Sequence, residues 1–304
     1  MMIKFSFLIF FFGIIAFSVG AQNANPLTEK MYYHVDNALS ENKGATQLNL
    51  RDQQLFQLPE NIQYLKHLVF LNGMGNSFER WDEKLFSLKN LEILNLKGNT
   101  FSYVPSEISK LKNLSKLDLS DNKISEISDE IGTLKNLQFL YLSENSLVSL
   151  PSTIDHCEKL QVLQMDNNQL SYLPSSVAAL TSLKTLQVGY NQFYELDTQW
   201  THIQTLEELN MEHNRLQNIP NSIGALSQLK TLILNNNNLK ELPASFSNLK
   251  NLELAIISGN ELTVMPERIS ELQKLRTLIL TNNKFSEAEQ KRIKDALPNC
   301  AVYF

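Results

Sequence analysis

His156 and Cys157 stand side by side, a base next to a nucleophile. A cysteine attacks as the thiolate, and a catalytic dyad needs an imidazole that a third group orients. No residue is spaced to do that here, and adjacent residues of this chain face different ways, so the pair carries no nucleophilic chemistry. Carboxylates recur at Asp118, Asp121, Glu144, Asp166, Glu208 and Glu212. A divalent metal would need their oxygens to converge, whereas a flat ladder splays them. Two readings stay open for the group: a surface whose mutual repulsion a basic partner relieves, or a solvated acidic surface. Tyr190, Glu212 and His213 could form a small polar cluster. No catalytic residue, metal or cofactor is implied.

The interval that recurs among these residues organises the whole chain. Asn76, Asn99, Asn122, Asn145, Asn168, Asn191, Asn214, Asn237, Asn260 and Asn283 are each 23 residues after the last, and Gln53 takes the same place one period earlier. Around each runs the frame LxxLxLxxNxLxxLPxxIxxLxx. Eleven copies begin at Ala45, Leu68, Leu91, Leu114, Leu137, Leu160, Leu183, Leu206, Leu229, Leu252 and Leu275, with no insertion. The LxLxx segment alternates as a half-buried strand does. Proline at the fifteenth position, as in Pro151 and Pro243, can open a short helical turn, and the apolar eighteenth and twenty-first positions point that turn back at the strand. One copy cannot bury its own apolar face, so copies must stack with their strands in one parallel sheet. The ninth-position Asn, with two donors and an acceptor, can satisfy turn groups that stacking would bury.

This consensus resembles the leucine-rich repeat family in its 23-residue, LP-containing subclass, over residues 45–285. The resemblance implies an α/β solenoid: a right-handed horseshoe with a parallel concave β-sheet and short helical or irregular convex turns. It implies partner binding on the concave side. The order of leader, N-terminal helix and repeats resembles exported bacterial proteins.

Residues 1–21 join one cation, Lys4, to a 15-residue apolar run from Phe5 to Val19, with Val19-Gly20-Ala21 supplying the small residues a signal peptidase needs. The run is short of the roughly 20 residues a membrane span needs and fits a secretory signal peptide, with an uncleaved anchor as the alternative. No cysteine follows it, so lipid attachment there is excluded. The mature chain would begin near Gln22 and, without Lys4, carry −6 in place of −5. Clustered Lys and Arg of a nucleic-acid footprint are not indicated. In residues 22–44 a helical cap is expected, with Leu27, Met31, Val35 and Leu39 on one face of a helix over 26–41. In residues 286–304, Ser286-x-x-Glu289 is a capping-box pattern opening a helix to about Leu297, and a last short strand follows Pro298. Between these covers no room remains for a catalytic domain.

Several residues fall on core positions once the frame is applied. Cys157 takes the twenty-first position and reads as a small hydrophobe. Cys300 lies six repeats away, about 29 Å along the sheet at roughly 4.8 Å per strand, so the two do not pair within one molecule. Trp81 and Trp200 read as core substitutions. Asn113-Leu114-Ser115 is a glycosylation sequon whose middle residue is a core position.

Function is therefore sought at the third, fifth and seventh positions of each copy, expected to be exposed on the concave sheet. Ile233, Ile256 and Ile279, flanked by Leu254, follow eight mostly polar residues in the fifth column. They form either an apolar contact strip or simply a β-favouring run. Nearer the middle, Phe139 and Tyr141 share a strand face with Val162 and Gln164 on the next rung. Phe70 and Ile93 continue the third column, interrupted by Lys116, and Asp118 adjoins the group. Exposed aromatics of this kind anchor protein contacts. The expected function is an exported, non-catalytic protein-binding scaffold, secreted or held in the periplasm or at the cell surface, whose partner is basic. The alternatives are a carbohydrate-binding adhesion protein using Tyr141, and a homodimer joined along the isoleucine strip. After removal of the leader no stable membrane span is expected.

Overall fold

The computed structural model describes residues 29–41 and 44–304. The leader, residues 1–21, and Leu27 lie outside the described residues. Among the described residues thirteen parallel strands form one sheet whose order follows the chain. Each interior strand is three residues long and occupies the third to fifth positions of its copy, as at Phe139–Tyr141 and Val162–Gln164. Register runs straight across: Lys116 pairs with Phe139 and Phe139 with Val162, so equal positions stand side by side. Among the described residues ten short 3-10 turns return the chain, most opened by proline, as at Pro151 before Ser152–His156. Proline fits there because its missing N–H would have no helical partner.

The core is one continuous column. Leucines at the first, fourth, sixth and twenty-first positions, such as Leu137, Leu140, Leu142 and Leu134, are at most 3% exposed. Trp200 is 1% exposed against the edge of Phe193, and Trp81 packs on Phe101 with its Nε1–H donating to Tyr103 O at 2.7 Å. Cys157 is fully buried, and that burial pushes its thiol up to about 11, which leaves it protonated and inert. Both cysteines are free.

The first described elements correct one expectation. Met31–Tyr32 is not helical but a short strand paired with Gln47–Asn49, and the helix spans only Val35–Glu41. Pairing satisfies the edge that the first repeat would otherwise expose. Val35 and Ala38 are buried on the core beside Tyr32. At the other end the helix Glu287–Ala296 is followed by a strand, Ala301–Tyr303. Ser286 Oγ accepts from Glu289 N, but the return half of the capping box is missing. Glu289 instead accepts from Met265 N at 2.8 Å and pairs with Arg292, which itself donates to Met265 O at 2.7 Å. That clip ties the helix to the last repeats.

A zoned concave face as the candidate interaction site

Two polar columns carry the backbone and so are not free for a partner. In each ninth-position rung the Asn amide donates inward to several carbonyls, while its oxygen accepts from the copy before. Asn191 Nδ2 donates to Met165, Val188 and Gly189 carbonyls at 2.9, 3.2 and 2.9 Å, and its Oδ1 accepts from Leu170 N at 2.9 Å. The same pattern runs through Asn76, Asn99, Asn145, Asn168, Asn214, Asn237 and Asn260. Asn122 accepts from Phe101 N and Asn283 from Leu262 N. The fifth column is the second such structure. Asn49, Asn72, Asn95, Asp118 and Asn210 each accept from the backbone N–H two residues on, at 2.9–3.1 Å. These closed Asx turns end each strand, so most of that column's polarity is structural. Its sequence signal was the recurrence of Asn and Asp at one position.

Burial revises the expected contact residues. Phe70 is 2% exposed and Tyr141 and Asp118 are 7% exposed, so none of the three projects as an anchor. Their neighbours on the next rungs close over them. Lys116 lies over the Tyr141 ring at 5.2 Å, and burial, then the Asp118 charge, push the phenol up to about 12. Burial also lowers Lys116, with Asp118 opposing it. Ile93, Phe139, Val162, Gln164, Ile233, Leu254, Ile256 and Ile279 are half-buried. Gln164 donates to Gln187, which donates to Glu208, at 2.8 and 2.7 Å. The isoleucine strip is therefore a row of partly covered edges and not a fully solvent-facing stripe.

The exposed margin lies at the eighth position, which sequence reasoning missed. All eleven copies hold that residue in the left-handed region: Gly75, Gly98 and Gly259, and also Asp52, Asp121, Glu144, Asn167, Tyr190, His213, Asn236 and Asn282, with φ from 48° to 67°. Glycine enters that region freely and Asn or Asp with modest cost, but a bulky side chain does not. Glu144 at 57°, Tyr190 at 51° and, to a smaller degree, His213 at 48° are thus the strained rungs, and the last two carry rings. Those two are consecutive, exposed and stacked, with ring centroids 4.2 Å apart at 13°. His213 Nε2 meets the Asn236 amide at 2.8 Å.

Beneath them two carboxylates approach over Gly189. A Cβ there would lie 2.9 Å from Glu212 Cγ and 3.1 Å from Asp166 Oδ1, so only glycine admits both. Asn210 and Asn235 donate to Glu212 at 3.2 and 3.0 Å. Burial raises Asp166 to about 6, opposed by the Gly189 N–H at 2.8 Å and assisted by the Glu212 charge. The folded pKa lies above the 3.8 of a free aspartate, so the native state binds more protons between pH 4 and 6. The contribution of this carboxyl to stability is therefore fully present below about pH 4 and is lost as pH rises through 6. Asp166→Asn is expected to raise stability at pH 7 by about 2 kcal/mol and to flatten the pH 4–6 slope in denaturant melts.

Charge is zoned along the solenoid. At the third, fifth, seventh and eighth positions of the five copies beginning at 114 to 206 stand Asp118, Asp121, Glu144, Asp166, Glu208 and Glu212 against one cation, Lys116. The three copies before them carry Arg51, Asp52 and Lys97, and the three after carry no charge at those positions. Among the described residues no group of three His, Cys, Asp or Glu is placed to hold a metal, and no helix is long and apolar enough to cross a membrane.

Comparisons with known proteins agree with the architecture. A model of the leucine-rich repeat region matches residues 107–210, a leucine rich repeat model matches 74–124 and 227–285, and a third matches 205–226. No curated protein matches the chain. Among solved structures it is similar to a TDR receptor, with 28% identity over 90% of this chain and a TM-score of 0.78; the chain spans 50% of that receptor's length. It is similar to the plant peptide hormone receptor RGFR1 in complex with RGF2, with 25% identity, 75% of this chain, 42% of the other and a TM-score of 0.60. It is also similar to a chain of the octameric complex of Latrophilin 3, Unc5D and FLRT2, with 26% identity, 83% and 80% coverage and a TM-score of 0.70. The three models together run without a gap over residues 74–285, and the chain carries leucine-rich repeats.

Proposed function

We propose that the protein is an exported, non-catalytic module that holds a basic protein partner on its concave face, at the acidic copies beginning at 114 to 206. The observation that carries this is the zoning: in the middle copies Asp121, Glu144, Asp166, Glu208 and Glu212 are partly or fully exposed, while the one cation, Lys116, is buried with Asp118, and an exposed, strained aromatic pair borders them. Clustered like charge at one place is unfavourable alone and is relieved by an opposite surface, which steers encounter and fixes register. Tyr190 and His213, and not Tyr141, supply the flat rings on which a guanidinium or an apolar side chain would rest. Supporting this reading, the similar receptors RGFR1 and the chain from the FLRT2 complex are seen with peptide or protein partners. In this arrangement residues 1–21 are a signal peptide, residues 22–44 and 286–304 cover the ends, and the repeats belong to the LP-containing bacterial type. The protein acts outside the cytoplasm, in the periplasm, at the surface or in the medium.

The partner captured by the wild-type protein from its native surroundings provides the test. The triple variant Asp121→Asn, Glu144→Gln, Glu212→Gln is expected to bind it about tenfold more weakly at low salt, with a shallower salt dependence. Equal binding at every ionic strength would refute the acidic face as the contact.

A further inference from the structure

A second charged feature lies on the flank where each turn returns to the next strand. Lys66, Lys89, Lys112 and Lys135 all occupy the twenty-second position, in four consecutive copies, and all are exposed. Three rung intervals put the row over about 14 Å at sheet spacing. The row is held in register by its own ladder: Asn90, Asn113 and Asn136, each at the next position, donate to the carbonyls of Lys66, Lys89 and Lys112 at 2.8, 3.0 and 3.2 Å. Lys110 stands beside it at the end of the Ser106–Lys110 turn, with Glu107 at the opposite end. Among the described residues no carboxylate lies within 4.0 Å of the Lys66, Lys89, Lys110 or Lys112 ammonium groups. Between Lys89, Lys110, Lys112 and Lys135 opens a groove of about 820 Å³, bordered by Ser109, Asn113 and Thr133.

We propose that this flank binds a linear anionic polysaccharide of the sulfated class, independently of the concave face. A single file of cations matches a chain bearing anionic groups at short regular intervals, and the hydroxyl and amide side chains between them suit sugar hydroxyls. The residues bordering the groove include one ring, the His156 imidazole, and no Phe, Tyr or Trp, whereas single-stranded nucleic acid binds along a series of rings on which successive bases stack. They include no large apolar side chain either, and a surface that lies on a bilayer needs one besides its lysines. An acidic protein is repelled from a polyanion as a whole, so retention would have to come from a local cluster.

Heparin is the probe, immobilised at pH 7.5, with the purified protein applied over a salt series. Retention at low salt is expected, falling with a log–log slope of about −3 for four neutralised anions. The variant Lys66→Gln, Lys89→Gln, Lys112→Gln, Lys135→Gln is expected to pass unretained. A control variant of equal charge, with Lys240, Lys274, Lys284 and Lys291 changed to Gln, is expected to remain bound. No retention of the wild type would overturn the proposal, and so would equal loss in both variants. Tighter binding to single-stranded DNA or to phosphatidylserine vesicles than to heparin would overturn the assignment to a polysaccharide. The concave-face reading survives each of these failures, because none of these lysines lies on that surface.

Discussion

Asn237→Ala is expected to cost about 3–5 kcal/mol of stability, whereas Asn238→Ala, one residue on, is expected to cost less than about 0.5 kcal/mol. The two sit in the same run of four asparagines and differ only in what the frame makes of them. Asn237 is 6% exposed, donates to the Met211, Leu234 and Asn235 carbonyls at 2.9, 3.0 and 3.3 Å, and accepts from Leu216 N at 3.0 Å. Alanine would leave the Leu216 N–H without its partner and remove one donor from each of those carbonyls. Each such loss costs about 1–3 kcal/mol, and the sum falls short of four full losses because some carbonyls keep other partners. Asn238 is exposed, and only its backbone N–H is engaged, to Leu216 O at 2.9 Å. Asn236 is intermediate. Its φ of 54° would strain an alanine, at a cost of about 1 kcal/mol. Urea melts of the three single variants check the order, and equal losses at positions 237 and 238 would contradict the ladder.

The second large effect is functional and has the opposite sign in stability. Tyr190→Gly with His213→Gly is expected to weaken partner binding about a hundredfold, which is the loss of one strong hot spot, while the melting temperature holds or rises. Glycine adopts the left-handed conformation at little cost, so the substitution relieves strain of about 1–2 kcal/mol per residue. Against that relief stand the lost ring stacking and the added freedom of the unfolded chain. The backbone bonds of both positions, Tyr190 N to Glu212 O and His213 N to Asn235 O, remain. A merely structural role for the rings predicts destabilisation with unchanged binding. Isothermal titration with the captured partner, beside a thermal melt of the same samples, separates the two.

How far the sequence was legible follows from which interactions repeat. The ninth-position Asn and the leucine positions bond or pack the same way in every copy, so a strict period in residue type exposes them. The Asx turns of the fifth position were readable in principle, since Asn49, Asn72, Asn95, Asp118 and Asn210 share one short side chain, but they looked like a free polar surface. The eighth position was hidden because backbone conformation, not residue type, is what repeats there. Glycine, Asn and Asp disguise it as loop variety, and Glu144, Tyr190 and His213 break the residue pattern without breaking the conformation. Tyr141 was misjudged for a different reason. The expectation took alternation to mean exposure, whereas a concave sheet crowds its inner side chains, and Lys116 on the adjacent rung covers the ring. Short elements at the N-terminus mislead similarly: the apolar spacing of Met31 and Val35 suits a helix, yet Met31–Tyr32 extends to pair with the first repeat.

The most direct test of the central account is hydrogen–deuterium exchange on the complex with the captured partner. Slower exchange is expected in the strand ends and turns of the acidic copies, at residues 116–121, 139–144, 162–167, 185–190 and 208–213, with the flank carrying Lys66, Lys89, Lys112 and Lys135 unchanged. Protection confined to that flank, or to the three copies after residue 229, would contradict a partner held on the acidic concave face.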